Sequence, residues 1–150
     1  MPSKIFSERL KEYLEWEGIN ENGLANASGL DLKSILCWVR EIYYPSPTAL
    51  LILTLHMKWS ADYLLGLTNV LEEKERKIIT IEQAQESVVK CLEKYRAEEE
   101  IKYGRLARLL SVEQGTLMRW IKKGAMPETT ILIRIAELLE ITLEELLGRE

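Results

Sequence analysis

Apolar residues recur along the chain at intervals of three and four, which is the pattern of helices that bury one face. In the first half, this pattern predicts helices over residues 5–17, 20–28, 31–41, 47–57 and 61–65. In the second half, it predicts helices over residues 81–99, 103–110, 113–123, 128–139 and 143–147. Each half is therefore predicted to fold into five helices.

Residues at the ends of these segments support the predicted boundaries. Ser46 precedes Pro47, and a serine followed by proline is typical of a helix start. Thr80, with Gln83 three residues later, fits a capping box. The glycines that follow predicted helices are Gly18, Gly29 and Gly124. Because glycine adopts the left-handed conformation without strain, it commonly ends a helix.

A constant shift of 82 residues aligns the first half of the sequence with the second without a gap. The residues Ile35, Trp38 and Pro45 correspond in this way to Leu117, Trp120 and Pro127. Near the ends, the Leu-Leu-Gly of residues 64–66 recurs at 146–148. The repeat predicts two copies of one domain, at residues 1–67 and 80–150. The charged segment between them, residues 68–79, is either a solvated linker or an early extension of the next helix.

The composition favours an all-helical protein and excludes several other classes. With 47% apolar and 29% charged residues, the 150-residue chain resembles an average globular protein. It has only four prolines, and no apolar run approaches the roughly 18 residues of a membrane span. The N-terminus, MPSKIFSERL, lacks the apolar core of a signal peptide. Since Cys37 and Cys91 are also isolated, a cytoplasmic protein without disulfides is expected.

Candidate catalytic and metal-binding residues are too isolated to form a site. His56 is the single histidine and lies among apolar residues of a predicted helix, which favours a structural role. Without a second histidine, or a cysteine at ligand spacing, neither a metal site nor a Cys-His nucleophile can be built. There is no glycine-rich phosphate loop. The sequence therefore predicts no enzyme and no cofactor, and the lack of a separate ligand-binding domain indicates no small-molecule ligand.

Two short predicted helices in each half are joined by only a few residues. In the first half, the positions spaced to turn inward and lock these helices at a steep angle are Leu24, Ala25, Leu30, Ile35 and Trp38. The run FSERLKEYLEWEGI…LA…GL…SILCWVR…YP…ADYLLGLT resembles the repressor and Cro-like helix-turn-helix family of bacteria and phages, of the xenobiotic-response-element type. The resemblance covers almost the whole chain. It implies an all-α fold of two tandem, five-helix, repressor-like helix-turn-helix domains.

In this family the second helix of the motif enters the major groove, and its N-terminal half contacts bases. The resemblance therefore implies a set of DNA-binding residues in the second copy. The outward-facing residues early in its recognition helix are Gln114, Gly115, Thr116 and Arg119. The flanking residues that carry a positive charge or a hydroxyl are Tyr103, Arg105, Arg108, Lys122 and Lys123. Of these, Tyr103, Arg105 and Arg108 are expected to reach phosphate. Glutamine and arginine side chains can make bidentate contacts to adenine and guanine edges.

The first copy departs from this pattern. Its groove-facing positions are Leu32, Lys33, Ser34 and Cys37, with Leu36 beside them. Lys33 and Ser34 are candidate DNA-binding residues. Leu32, Leu36 and Cys37 are apolar where an exposed helix face is expected to be polar, and apolar patches often mark protein contacts. They are predicted to contact the second copy, a second chain or another protein; the alternative is that they are isolated surface residues.

The two copies differ in the net charge of their helix-turn-helix segments. Residues 102–123 carry six basic side chains and one acidic one, a net charge of +5. Residues 20–41 carry two basic and three acidic side chains, a net charge of −1. Because non-specific DNA affinity comes from phosphate neutralisation, the second copy is expected to supply it. The first hypothesis is a sequence-specific transcriptional regulator of the repressor type that binds double-stranded DNA. The two domains of one chain could mimic a dimer, but the weakly charged first copy favours a homodimer. The alternative is a protein-interaction module that uses the first copy.

Overall fold

The computed structural model describes residues 3–150, and its regular secondary structure within that range is all helical. The helices of the first half are α1 (Ser3–Glu17), α2 (Glu21–Ser28), α3 (Leu32–Val39), α4 (Pro47–Met57) and α5 (Ala61–Leu64). Those of the second half are α6 (Ile81–Glu98), α7 (Tyr103–Leu109), α8 (Gln114–Lys123), α9 (Thr129–Leu139) and α10 (Leu143–Leu146). The prediction of an all-α fold is confirmed, and each helix boundary lies within two residues of its predicted position. No helix in this range is both long and apolar enough to cross a membrane.

Local hydrogen bonds explain where these helices begin. The Ser46 hydroxyl accepts the N–H of Ala49 at 3.2 Å, and Pro47 occupies the first turn of α4. At the start of α6, Thr80 Oγ1 accepts the N–H of Gln83 at 3.1 Å, and Gln83 Oε1 accepts the N–H of Thr80 at 2.9 Å. These bonds satisfy backbone donors that have no partner within the helix. The predicted capping box is therefore confirmed.

The chain folds into two compact units, one ending at Lys77 and the other spanning Ile78–Glu150. In the first unit, α3 packs against both α1 and α2. Five core residues of this unit, each at most 2% exposed, are Phe6, Leu10, Leu24, Ile35 and Trp38. The tryptophan ring also meets Phe6 edge-on, with 5.9 Å between the ring centroids. Trp38 is therefore a core residue, as its position in the sequence predicted.

In the second unit, α8 packs against α7 and α6. Five core residues of this unit, each at most 4% exposed, are Val88, Leu92, Leu106, Leu117 and Trp120. Burying side chains of this size stabilises the fold by about 1.5–3 kcal/mol each. Trp120, which the shift of 82 residues aligns with Trp38, is therefore a core residue as well.

Residues 67–80 are not helical, and α6 begins only at Ile81. The earlier part of this segment lies against the first unit, because the N–H of Lys74 donates to the carbonyl of Lys58 at 3.0 Å. Lys58 Nζ also lies 3.0 Å from Glu75 Oε1, and the hydrogen bond with this carboxylate raises the pKa of Lys58. Both side chains are exposed, so this ion pair contributes little stability by itself.

Gly148→Ala is expected to lower the free energy of unfolding of the second unit more than Gly124→Ala does. Both glycines have positive φ angles, +83° and +73°, at which an alanine is strained by about 1–2 kcal/mol. Only at Gly148 would the added Cβ meet another side chain, with Ser87 Oγ at 2.9 Å and Ser87 Cβ at 3.0 Å. Urea unfolding followed by circular dichroism compares the two variants. Equal losses would show that the contact with Ser87 adds nothing.

Candidate nucleic-acid interface

The pair α7–α8 forms a helix-turn-helix whose turn is held by backbone hydrogen bonds. Ser111 adopts a left-handed conformation, with φ +57°, and its N–H donates to the Arg108 carbonyl at 3.0 Å. The N–H of Val112 donates to the Ala107 carbonyl, also at 3.0 Å. From α9, Arg134 Nη1 donates to the Leu110 carbonyl at 3.1 Å. The start of α8 is therefore fixed relative to the end of α7.

Burial of one face of α8 determines which of its residues reach solvent. Leu117 and Trp120 point into the core. The exposed residues of the helix are Gln114, Gly115, Arg119, Lys122 and Lys123, and Thr116 is half-buried. Arg119 Nη2 donates to Thr116 Oγ1 at 3.0 Å. Two of the side chains predicted to face the groove therefore lie together on the exposed face, with the arginine partly oriented before any ligand binds.

A basic pocket of about 560 Å³ lies at the start of α7, next to the start of α8. Its lining residues are Arg96, Ile101, Lys102, Tyr103, Gly104, Arg105, Arg108 and Gln114. The structure therefore brings the predicted phosphate-binding residues of α7 together with Gln114. Arg96, Lys102 and Gly104 were not among the predicted site residues. The basic character of Lys102 was visible in the sequence, but nothing local indicated that Arg96, on the preceding helix, would join it.

Gly104 allows Gln114 to lie close to α7. A Cβ built on this glycine would lie 3.1 Å from Gln114 Oε1, which is tighter than an ordinary van der Waals contact. The glutamine side chain thus crosses from the start of α8 to the start of α7. This position explains how a residue predicted to read bases also borders a pocket lined by residues predicted to reach phosphate.

Tyr103, which is half-buried at the edge of the pocket, is held in place by a small network of polar side chains. Its hydroxyl donates to Glu93 Oε2 at 3.1 Å, and the Arg96 guanidinium lies 4.3 Å from the centre of its ring. Arg96 Nε also donates to Glu93 Oε1 at 3.4 Å. A contact between the Tyr103 hydroxyl and phosphate, which the sequence predicted, would require that hydroxyl to exchange its partner.

The corresponding face of the first unit has different surroundings. Lys33 is exposed and Ser34 is half-buried, and the serine hydroxyl lies 3.3 Å from Asp31 Oδ2. A hydrogen bond with Cys37 raises the pKa of Tyr43, while a hydrogen bond with Ser34 acts in the opposite direction. The Tyr43 hydroxyl therefore lies against Ser34 and Cys37, where the second unit has Thr116 and Arg119 after the shift of 82 residues. The tyrosine hydroxyl thus lies beside two positions that the sequence predicted to face a groove.

The apolar residues predicted to form an interface in the first unit are less exposed than expected. Leu32, Leu36 and Cys37 are all half-buried. Larger apolar exposure occurs in the loop after α3, where Ile42 is 57% exposed and Tyr43 is 46% exposed. Sequence reasoning did not single out this loop, since loop residues lack the periodicity that reveals a helix face.

Residues 91–150 match the family model of the Cro/C1-type HTH DNA-binding domain. The matched stretch begins within α6 and contains α7 to α10, so it includes the whole basic face. The helix-turn-helix resemblance of the second unit is thereby supported. The match covers no residue of the first unit, and it does not distinguish the xenobiotic-response-element type. No curated protein and no solved structure matches the chain.

Among residues 3–150, no group of three or more His, Cys, Asp or Glu side chains is arranged to hold a metal ion. The polar groups around the α7–α8 face are instead guanidinium, ammonium, amide and hydroxyl groups, which bind phosphate oxygens and base edges directly.

Gly115→Ala is expected to raise the free energy of unfolding of the second unit by roughly 0.5–1 kcal/mol, because alanine loses less backbone entropy in a helix. A Cβ at Gly115 meets no atom within 4 Å. Gly104→Ala is the matched control, since Gly104 is also the second residue of its helix but would press on Gln114. Urea unfolding should show a smaller gain for Gly104→Ala. A loss of stability in Gly115→Ala would contradict the open, helical position assigned to Gly115.

Proposed function

We propose that this protein is a sequence-specific DNA-binding transcriptional regulator of the repressor type, which reads the major groove with α8. The observation that carries the proposal is the exposed basic face of α7–α8 on a unit similar to the Cro/C1-type HTH domain. The net charge of +5 over residues 102–123 contrasts with −4 for the whole chain. Affinity for DNA is therefore expected from this face and not from the protein surface in general.

Phosphate contacts would come from both sides of the reading helix. Arg105 and Arg108 lie at the pocket beside the start of α7, and Lys122 and Lys123 lie exposed at the end of α8. Long basic side chains reach phosphate oxygens over a range of positions, and such contacts set the orientation of a protein on the duplex without reading sequence. Residues at both ends of α8 would thus hold the helix along the groove.

Base contacts would come from the first six residues of α8. Gln114 and Arg119 are exposed there and carry the paired donors or acceptors that adenine and guanine edges require. The hydrogen bond from Arg119 to Thr116 limits the rotamers of the arginine before binding, so less side-chain entropy is lost when it meets a base. Gly115, with no side chain, would let the helix backbone approach the groove closely.

The first unit is proposed to contribute little to DNA affinity. Its corresponding helix region, residues 20–41, has a net charge of −1. In addition, the Tyr43 hydroxyl lies against Ser34 and Cys37. The exposed basic side chains of this region are Lys33 and Arg40, against six basic side chains in residues 102–123. They supply two phosphate contacts at most.

Arg119→Ala is expected to weaken binding to a preferred DNA site by about 1–3 kcal/mol, because it removes a bidentate base contact. Lys122→Ala should weaken binding to all sequences alike and reduce the salt dependence by about one phosphate contact. Fluorescence anisotropy with duplex DNA over a series of salt concentrations measures both effects.

Lys33→Ala is the matched control, since it removes one exposed basic residue from the start of α3 in the first unit. It should leave DNA affinity nearly unchanged. If Arg119→Ala and Lys122→Ala also left it unchanged, α8 would not be the reading helix. Loss of binding with Lys33→Ala alone would assign DNA reading to the first unit.

A second candidate function, protein interaction through the first unit, is favoured by the exposure of Ile42 and Tyr43 beside the half-buried Leu32 and Leu36. Apolar and aromatic side chains of this kind are enriched at the centres of interfaces. For the DNA-binding function, the partner we propose is a second copy of the chain. Two α8 helices would then meet half-sites one helical turn, or a multiple of it, apart.

Ile42→Ser is expected to shift the protein from dimer to monomer, because it removes apolar surface from the proposed contact. Sedimentation velocity measures the association state. The same variant should bind a DNA site with two half-sites more weakly but a single half-site equally well, since only the avidity of paired heads is lost. A wild-type protein that is monomeric at high concentration would exclude the homodimer.

A further inference from the structure

We propose that Gln85 is a positioning residue for DNA reading: its amide clamps the C-terminal end of α8 and thereby sets the placement of the base-contacting residues. The inference rests on the proposed function of α8. Gln85 lies on α6, in the part of the chain before the match to the Cro/C1-type domain begins. Its role therefore comes from its contacts in this structure.

The clamp consists of two hydrogen bonds from one amide group. Gln85 Nε2 donates to the Trp120 carbonyl at 2.7 Å and to the Ala125 carbonyl at 3.2 Å. The two hydrogens of the amide suffice for both bonds. One accepted bond lies within α8 and the other lies just past its end, so the amide bridges the point at which the helix stops.

The way α8 ends makes this donor necessary. Gly124 has φ +73°, and its N–H donates to the Arg119 carbonyl, as does the N–H of Ala125. In a continuing helix the N–H of Gly124 would instead donate to the Trp120 carbonyl. The amide of Gln85 takes that place. It thereby satisfies a carbonyl at the end of a helix that would otherwise need another partner.

Gln85 is buried, so water cannot readily replace the hydrogen bonds of its amide. Gln85 is only 9% exposed, so water has little access to replace the amide if it is removed. Its neighbours Ala84 and Val88 are completely buried, which fixes this part of α6 in the core of the second unit. The end of α8 is therefore tied to a part of the protein that does not move independently.

Small movements at this end matter more for base contacts than for phosphate contacts. Arg119 follows Gln114, at the turn-held start of α8, by five residues, a length of about 7.5 Å along the helix. Without the clamp, a tilt of about 10° about that start displaces Arg119 by roughly 1.3 Å, more than the range of hydrogen-bond lengths tolerates. Flexible lysine and arginine side chains can follow such a shift to a phosphate. Loss of the clamp should therefore reduce sequence preference and spare non-specific binding.

The first unit supplies a matched control. Ser3 lies 82 residues before Gln85, and its hydroxyl donates to the Glu41 carbonyl at 3.0 Å, just past the end of α3. Ser3 is also buried. Ser3→Ala thus removes a similar bond from the unit that is proposed to contribute little to DNA binding.

The test compares Gln85→Met, which keeps the length of the side chain but removes the donor, with Gln85→Lys, which keeps a donor suited to a helix C-terminus. Preferred duplexes are first selected from random sequences with the wild-type protein. For Gln85→Met, we expect the preference for a selected site over a single-base-pair variant to fall roughly tenfold, the discrimination that one good base contact provides. Its salt dependence, its affinity for mixed-sequence DNA and its circular dichroism should remain those of the wild type. Gln85→Lys and Ser3→Ala should keep the preference.

Amide hydrogen exchange, measured by NMR without DNA, gives a second readout. The N–H groups of Gly124 and Ala125 should exchange faster in Gln85→Met and near the wild-type rate in Gln85→Lys. Wild-type protein that binds no DNA would refute the proposed function, and unchanged exchange would refute the clamp itself. Faster exchange with full sequence preference would overturn the positioning role. If Gln85→Met fails to fold, the test rests on Gln85→Lys. Wild-type sequence preference together with wild-type amide exchange in this variant would support the positioning role. Loss of sequence preference with wild-type amide exchange would overturn it.

Discussion

The burial of Leu117 and Trp120 on one side of α8 is the constraint on which the proposed interface depends. Both residues are at most 4% exposed, and a helix with two such anchors three residues apart cannot rotate about its axis without exposing them. The opposite side is therefore fixed toward solvent, with Arg119 and the terminal lysines on it. The packing of the core therefore determines the orientation of the side chains that would read DNA.

The same framework carries different chemistry in the two units. Ile35 and Trp38 are buried on α3 as Leu117 and Trp120 are on α8, yet the outward positions differ in charge and size. In the first unit, the loop after α3 supplies Tyr43, whose hydroxyl lies against Cys37 and Ser34. A core that fixes an exposed face leaves the residues of that face free to diverge, because most surface substitutions change stability by less than about 0.5 kcal/mol. This tolerance explains how one fold can present a basic surface in one unit and a largely neutral surface in the other.

The helices and the core could be predicted from sequence because their causes are local. A capping residue such as Thr80 acts within one turn, and the alternation of apolar positions records which face is buried. No comparable local pattern in the sequence indicates the polar contacts of the candidate site. The network of Glu93, Arg96 and Tyr103 joins residues of two helices, and Gln85 meets carbonyls 35 and 40 residues away in sequence. Such partners are set by how the helices pack, which periodicity does not reveal.

The net charge of the protein limits how it can approach DNA. A chain of net charge −4 is repelled by a polyanion in most orientations, whereas the face with +5 is attracted. At physiological salt these forces act over only about 8 Å, so the attraction becomes effective once the α7–α8 face is already turned toward the duplex. Electrostatics would then favour the productive orientation before any base contact forms. Because the protein is acidic overall, its affinity for random DNA is weaker, and sequence-dependent contacts supply a larger share of the binding energy. The core affects these contacts, because it determines where α8 lies.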